Sequence, residues 1–323
     1  MVTSVIRALV SRLLPGCQRV ALVLAMLGLL PGPDGFSVQA QAMEVAVLLS
    51  EAEGRGQRFA EALDAALAPG MHRLVAAGVA GVQADAALLG RADLVLAVGQ
   101  AAAEHALRAS AQPVLAVLVG LRDVDRLNGA HPGRGLGALV LDQPLERHLR
   151  LVRAVLPDAK RVGVLLGPDS VLQLPGLPGA ADACQLQADV HEVRQPADLV
   201  PALDHLLFAG DALLPLPDGL VSGPAAARTI LLTSYRHRRP VFAHSAAYVT
   251  AGALAAVFST PEHVAMDVAD LLAGAAEPSA MVRKIHPPRR FDVAVNRAVA
   301  RALGLVVADE KALRERIANG GER

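Results

Sequence analysis

The side chains best placed to do chemistry in this chain stand at the ends of short apolar runs: Ser50, Gly99-Gln100, Asp142-Gln143, Asp218 and His244-Ser245. Hydroxyl, amide, carboxylate and imidazole groups together supply both donors and acceptors, which suits them to holding a polar molecule. They compose no catalytic motif. Gly-x-Ser-x-Gly, Gly-x-x-x-x-Gly-Lys-Ser/Thr and His-Glu-x-x-His are absent from the sequence, so acyl transfer, P-loop phosphate binding and zincin-type hydrolysis lose their usual signatures. Gly133, Gly135 and Gly137 approach a dinucleotide-binding fingerprint. They precede an apolar run instead of following one, and so cannot cradle a phosphate at a helix start. His237 and His244 are the nearest histidine pair of the second half, with no third ligand at useful spacing. No catalytic residue, metal or cofactor is expected. Each candidate has a plainer alternative. Ser50 and Asp142 also suit helix caps or turns, Gly99 suits a tight turn, Asp218 suits a turn acid, and His244 suits a half-buried histidine. Gln100, at a first helical turn, has no strong capping reason to be there.

These residues require elements that end where they stand. Glu44–Ser50, Asp93–Gly99 and Pro113–Val119 are short continuous apolar runs; Gly56–Ala68 and Gln100–Ala109 follow the first two with helical spacing, and a polar stretch follows the third. Strands that are apolar without alternation are buried on both faces, as in a parallel sheet covered by helices. A second series begins after Leu139–Asp142. A helix over Pro144–Val155 precedes strand Arg161–Gly167, and further pairs follow at Asp189–Val193 with Asp198–Phe208 and at Asp211–Leu216 with Gly223–His237. Pro240–His244 and Ala253–Phe258 read as later strands, and His263–Leu272 as a long helix that returns to the first array. Gly133–Gly137 and Leu174–Gly179 read as loops, the first near the hinge. Ligands of open parallel sheets sit at the carboxyl ends of the strands, where the candidate residues lie.

The chain has 323 residues, enough for two lobes with separate cores, and its 31 basic and 31 acidic residues cancel. A balanced charge disfavours nucleic acid and anionic membrane surfaces as partners. Trp is absent and aromatics make up 2%, so a bound molecule is expected to be held by polar groups. Arg7, Arg12 and Arg19 precede the apolar run Val20–Leu30, a Pro/Gly break at Pro31–Gly35, and Ala40-Gln41-Ala42. That order is a secretory signal over residues 1–42, cleaved near Ala42, with an apolar run too short to span a bilayer. Its removal takes Cys17 and leaves Cys184 without an intrachain disulfide partner.

Five segments in series resemble the substrate-binding proteins of ABC-type importers, in the branch related to tryptophan/tyrosine-type uptake. They are Ala92–Ala102, Leu156–Leu166, Leu214–Val221, Pro240–Ser245 with Gly252-Ala253-Leu254, and Val295–Leu305, the last similar to an Asn-x-x-x-Ala-x-x-Leu-Gly signature. The resemblance implies a type I periplasmic binding fold: an α/β protein of two lobes, each a parallel sheet flanked by helices, joined by three crossovers and closing on a ligand by a hinge motion. It places Gly99-Gln100 in the first lobe's share of the cleft, and Asp218 and His244-Ser245 in the second's. The chain departs from its relatives at Ala265-Met266-Asp267, where a Gly is frequent, and at Pro175 and Pro178, which cut the helix after Gly167. The lobes are expected to comprise residues 43–142 with 259–282, and 143–258 with 283–323. The function implied is capture of a small molecule in the periplasm by a monomer that hands it to a membrane permease. The rival is a binding-fold sensor or adaptor read by a signalling receptor or an outer-membrane uptake system.

Overall fold

The computed structural model describes residues 42–320 apart from Pro69, Met71 and Ala276, so the segment read as an export signal lies outside the described residues. The first half alternates strand and helix: β1 Glu44–Leu49, α1 Arg55–Ala66, β2 Arg73–Val79, β3 Gln83–Ala84, α2 Ala86–Arg91, β4 Leu94–Val98, α3 Gln100–Ala109, β5 Val114–Val119, α4 Leu121–Ala130 and β6 Leu136–Val140. The second half continues with α5 Leu145–Val155, β7 Arg161–Leu166, a 3-10 turn at Val171–Gly176, α6 Leu177–Ala183, β8 Gln187–Glu192, α7 Leu199–Ala209, β9 Ala212–Pro215 and α8 Pro224–His237. It closes with β10 Phe242–Ala243, α9 Ala246–Ala251, β11 Ala255–Phe258, α10 Pro261–Gly274, β12 Ile285–His286, β13 Asp292–Val295, α11 Arg297–Ala302 and α12 Glu310–Asn319.

One sheet has the order β12-β6-β5-β4-β1-β2-β3, parallel except for β3. Along one row across its central strands, small residues face one side and larger ones the other. Ala46, Ala97, Ala116 and Ala138 pack under α2, α3 and α4, while Val47, Leu96, Leu115 and Leu139 meet α1 and α10. Small residues let three helices lie close on one face, and larger ones fill the space beneath the pair on the other. The other half holds two three-stranded sheets, β8-β7-β9 and β10-β11-β13, joined by a single bridge between Leu213 and Val241. Here β13 runs antiparallel to β11, in an otherwise parallel array.

Three connections run between the halves: from β6 to α5, from β11 to α10, and from β12 to β13. The placement of β12 corrects the expected assignment of everything after residue 282 to the second half. Ile285 and His286 pair in parallel with Ala138 and Leu139 of β6, because Met281 and Val282 pack into the first sheet's core and carry the chain on to its edge. The expected loop at Leu174–Gly179 is also corrected: Pro178 stands in the first turn of α6, where its missing N–H costs no hydrogen bond. Gly133–Gly137 leads into the amino end of β6 and so lies at the opposite end of that strand from the crossover. Gly137 itself is a strand residue in which a Cβ would stand 2.4 Å from the Met281 carbonyl oxygen.

Candidate functional site

A cavity of about 400 Å³ opens where the strands of both halves end. Gly120, Arg122 and Asp123 enter it after β5, Asp142 and Gln143 after β6, Pro217, Asp218 and Ser222 after β9, His244 and Ser245 after β10, and Phe258 and Ser259 at the end of β11, with Arg55 at the start of α1. Five of the eight residues nominated from sequence therefore share one cavity: Asp142, Gln143, Asp218, His244 and Ser245.

Ser50, Gly99 and Gln100 are not among its lining residues. The Ser50 hydroxyl accepts the Ala102 N–H at 2.9 Å and so caps α3 from the end of another strand. Gly99 makes room for it, with φ of 89° and only 2.6 Å from an added Cβ to Ser50 Oγ. Gln100 is the exposed first residue of α3.

Asp142 and Asp123 share the amino end of α4. Asp142 Oδ2 accepts the Leu121 N–H at 2.7 Å, and Asp123 Oδ2 accepts the Gly120 N–H at 3.1 Å. Burial raises the Asp142 carboxyl above its ordinary value, against the lowering effect of the Leu121 N–H. Asp218 is buried and almost fully engaged: Oδ2 accepts Asp169 N at 2.8 Å, Ser170 N at 3.0 Å and Ser170 Oγ at 3.1 Å, and Oδ1 accepts Leu220 N at 2.8 Å. Of its two readings, these bonds are those of the turn acid. Gly167 is the reason it fits, since a Cβ there would stand 2.3 Å from Asp218 Oδ1.

Gln143 is buried at the crossover. Its amide N donates to Ser259 Oγ at 2.9 Å, its oxygen accepts Arg147 Nη1 at 2.5 Å, and Ser259 Oγ donates onward to the Arg290 carbonyl at 2.6 Å. One chain of hydrogen bonds thus touches all three connections. Arg147 also lies over the Phe291 ring, 4.3 Å from its centroid, and donates to the Pro288 carbonyl at 3.1 Å.

His244 packs edge-on against Tyr248 with ring centroids 5.7 Å apart, and burial lowers its pKa to about 4. His148, buried on α5, is lowered further by burial, to about 3, and the nearby His244 adds to the effect. Ser245 caps α9 by accepting the Tyr248 N–H. No nucleophile beside a base is evident in the residue spacing, yet His244 Nε2 lies 3.3 Å from Ser222 Oγ. Ser222 Oγ also accepts the Asp218 N–H at 3.0 Å.

Arg55, Arg122, Asp123, Ser222 and Ser259 were not nominated from sequence. Arg122 and Asp123 sat in the stretch after β5 that read as merely polar. Its apolar residues Leu121, Val124 and Leu127 carry the helical spacing that marks α4.

Comparison with known proteins agrees with this architecture. A substrate binding protein from Clostridium difficile with adhesive properties, in a ligand-free open structure, superposes with a TM-score of 0.60 at 18% identity, covering 84% of this chain and 97% of that one. A conserved domain protein from Vibrio cholerae gives 0.54 at 20% identity over 85% and 98% of the two chains. A domain from Streptococcus pneumonia in complex with L-Trp gives 0.53 at 16% identity over 84% and 98%. At these identities the likeness is one of fold, the two-lobed type I periplasmic binding fold. None of the curated proteins matches the chain. Among the described residues no helix is long and apolar enough to cross a membrane. The profile of the family described as "ABC transporter substrate binding protein" matches residues 89–314, which run from α2 to α12, and the chain belongs to that family of solute-binding components of ABC importers.

Proposed function

We propose that the chain captures a small polar molecule between its lobes in the periplasm and presents it, unaltered, to an ABC-type permease. The observation that carries this reading is the cavity itself. It is of small-molecule size, about 400 Å³, and the carboxyl ends of strands from all three sheets contribute its walls. Its lining offers hydroxyl, amide and neutral imidazole groups, the cations Arg55 and Arg122, and the carboxylates of Asp123, Asp142 and Asp218. Gln143, His244, Ser245 and Ser222 are the ligand contacts in this reading. Asp142 and Asp218 support the wall from behind their own hydrogen bonds, and Ser50, Gly99 and Gln100 shape the adjoining strand ends.

Packing supports the following lobe boundaries. Residues 43–142, α10 and β12 form one lobe, and residues 143–258 together with the chain from β13 onward form the other. The three connections between them act as the hinge, as in other closures about a few connecting segments. Export by the amino-terminal signal, a monomeric state and a cognate permease complete the proposal.

Isothermal titration of the purified protein against amino acids, nucleosides, sugars and small organic cations tests it. At least one class should bind with one-to-one stoichiometry, and His244→Leu should weaken that binding at least tenfold. Silence across all classes would count against capture. Because His244 titrates near pH 4, affinity should be level between pH 6 and 8.

A further inference from the structure

The hydrogen bonds made by Asp218 leave a question of purpose, since a residue at the cleft spends its whole carboxylate on its own lobe. Its acceptors hold the amides of Asp169 and Ser170, the first residues after β7 and Pro168. That short segment reaches the opposite lobe at two places. Asp169 Oδ2 meets Arg122 Nη1 at 3.5 Å, while also accepting the Gly219 N–H at 3.2 Å. Four residues on, Gln173 Nε2 donates to Asp142 Oδ1 at 3.4 Å, on the carboxylate whose other oxygen caps α4. Arg122 is also 3.8 Å from Asp123. Both partners of the segment, Arg122 and Asp142, line the cavity.

We propose that residues 167–173 form a latch across the cleft, with Asp169 and Gln173 as its teeth and Asp218 as the residue that positions it. The proposal rests on the hinged, ligand-capturing reading above. Gly167 and Pro168 fix the departure from β7, Asp218 fixes the next two amides, and the side chains that project beyond them close on α4 and on the first crossover. Nothing in this arrangement requires the ligand to touch the latch. The latch instead sets how readily the lobes part, and therefore how long a captured molecule stays. Arg122 and Asp169 keep 48% and 46% of their side-chain surface exposed, so their attraction is screened by water and salt. A weak, salt-sensitive contact is suited to this task, because a binding protein has to open again to deliver its cargo.

The test reads lobe separation directly and needs no identified ligand. In the full chain with Cys17 and Cys184 replaced by Ser, spin labels on Ala101→Cys and Ala225→Cys report the distance between α3 and α8 by pulsed electron paramagnetic resonance. Asp169→Asn or Arg122→Gln should lower the ratio of short to long distances about two- to fivefold, the range expected of an exposed ion pair. The exchanged pair Arg122→Asp with Asp169→Arg should recover most of it, and 1 M salt should mimic the single variants in the native pair. Asp218→Asn should open the lobes as far as Asp169→Asn does, and combining the two should add little, which a merely local loss of stability would not produce. Two distance populations that all these variants leave unmoved overturn the latch alone. A single invariant population in the native chain at every salt concentration overturns the hinged reading, and the latch with it.

Discussion

At the three crossovers the groups that join the lobes are buried and hydrogen-bonded several times over, whereas those that meet across the cleft rim are half in water and touch each other at a single long contact. Asp267 represents the first region. It is fully buried on α10, with Oδ2 accepting the Arg289 and Arg290 amides at 2.7 and 3.2 Å and Oδ1 accepting Arg290 Nη1 at 2.5 Å. Arg122 and Asp169 represent the second. A buried carboxylate in a complete network is costly to disturb, because removing one partner strands the others without water. An exposed pair makes and breaks at little cost. Connection and closure are separate tasks in this arrangement. The crossovers keep their geometry, and the rim is free to exchange contact for solvent.

The sharpest way to break this contrast is Asp267→Ala. It should destabilise the fold by about 2–4 kcal/mol, since the Arg289 and Arg290 amides lose their acceptor while the Arg290 guanidinium keeps Asp270, and the denaturant midpoint measures it. A loss below about 1 kcal/mol would place the crossovers in the same class as the rim. Next in size is Gly167→Ala, whose Cβ would meet Asp218 Oδ1 at 2.3 Å. Overpacking of this kind costs about 1–3 kcal/mol, and a neutral result would show that the latch segment can shift away from Asp218.

Acidity probes the buried histidines beneath the cleft. His148 and His244 have folded pKa values near 3 and 4 against 6.5 unfolded. Between those values the unfolded chain binds more protons, so stability falls as pH drops from about 6.5 toward 4. The raised Asp142 carboxyl works in the opposite direction. His148→Leu should remove about 1.4 kcal/mol per pH unit from that slope, and an unchanged slope would mean that His148 takes up its proton without unfolding. The smallest effect belongs to the rim. Asp169→Asn should leave stability within about 0.5 kcal/mol of the native value, even while it changes lobe separation.

Much of the first lobe was legible because its strands are continuous apolar runs: Val45–Leu49, Leu94–Val98 and Val114–Val119 admit few other readings. The strand ends then led to Asp142, Gln143, Asp218, His244 and Ser245. Three things hid the rest. The charges of Arg122, Asp123, Asp125 and Arg126 masked the helical spacing of α4, and with it two cavity residues. Prolines at 175 and 178 looked like breakers, although one sits in a 3-10 turn and the other in a helix's first turn. The third is chemical. Residue type places an aspartate at a cleft, but only the amides that reach it decide whether it serves the ligand or the backbone, and those of Asp218 come from about 50 residues away.

The borrowed cap of α3 has a consequence for how the chain assembles. Ser50 stands 52 residues before the amide it satisfies, so the start of that helix is finished only after β1 and β4 lie side by side. A contact that waits on this pairing is expected to form late in folding, after the rate-limiting step. Removing the hydroxyl with Ser50→Ala should then hasten unfolding and leave the speed of refolding nearly as it was.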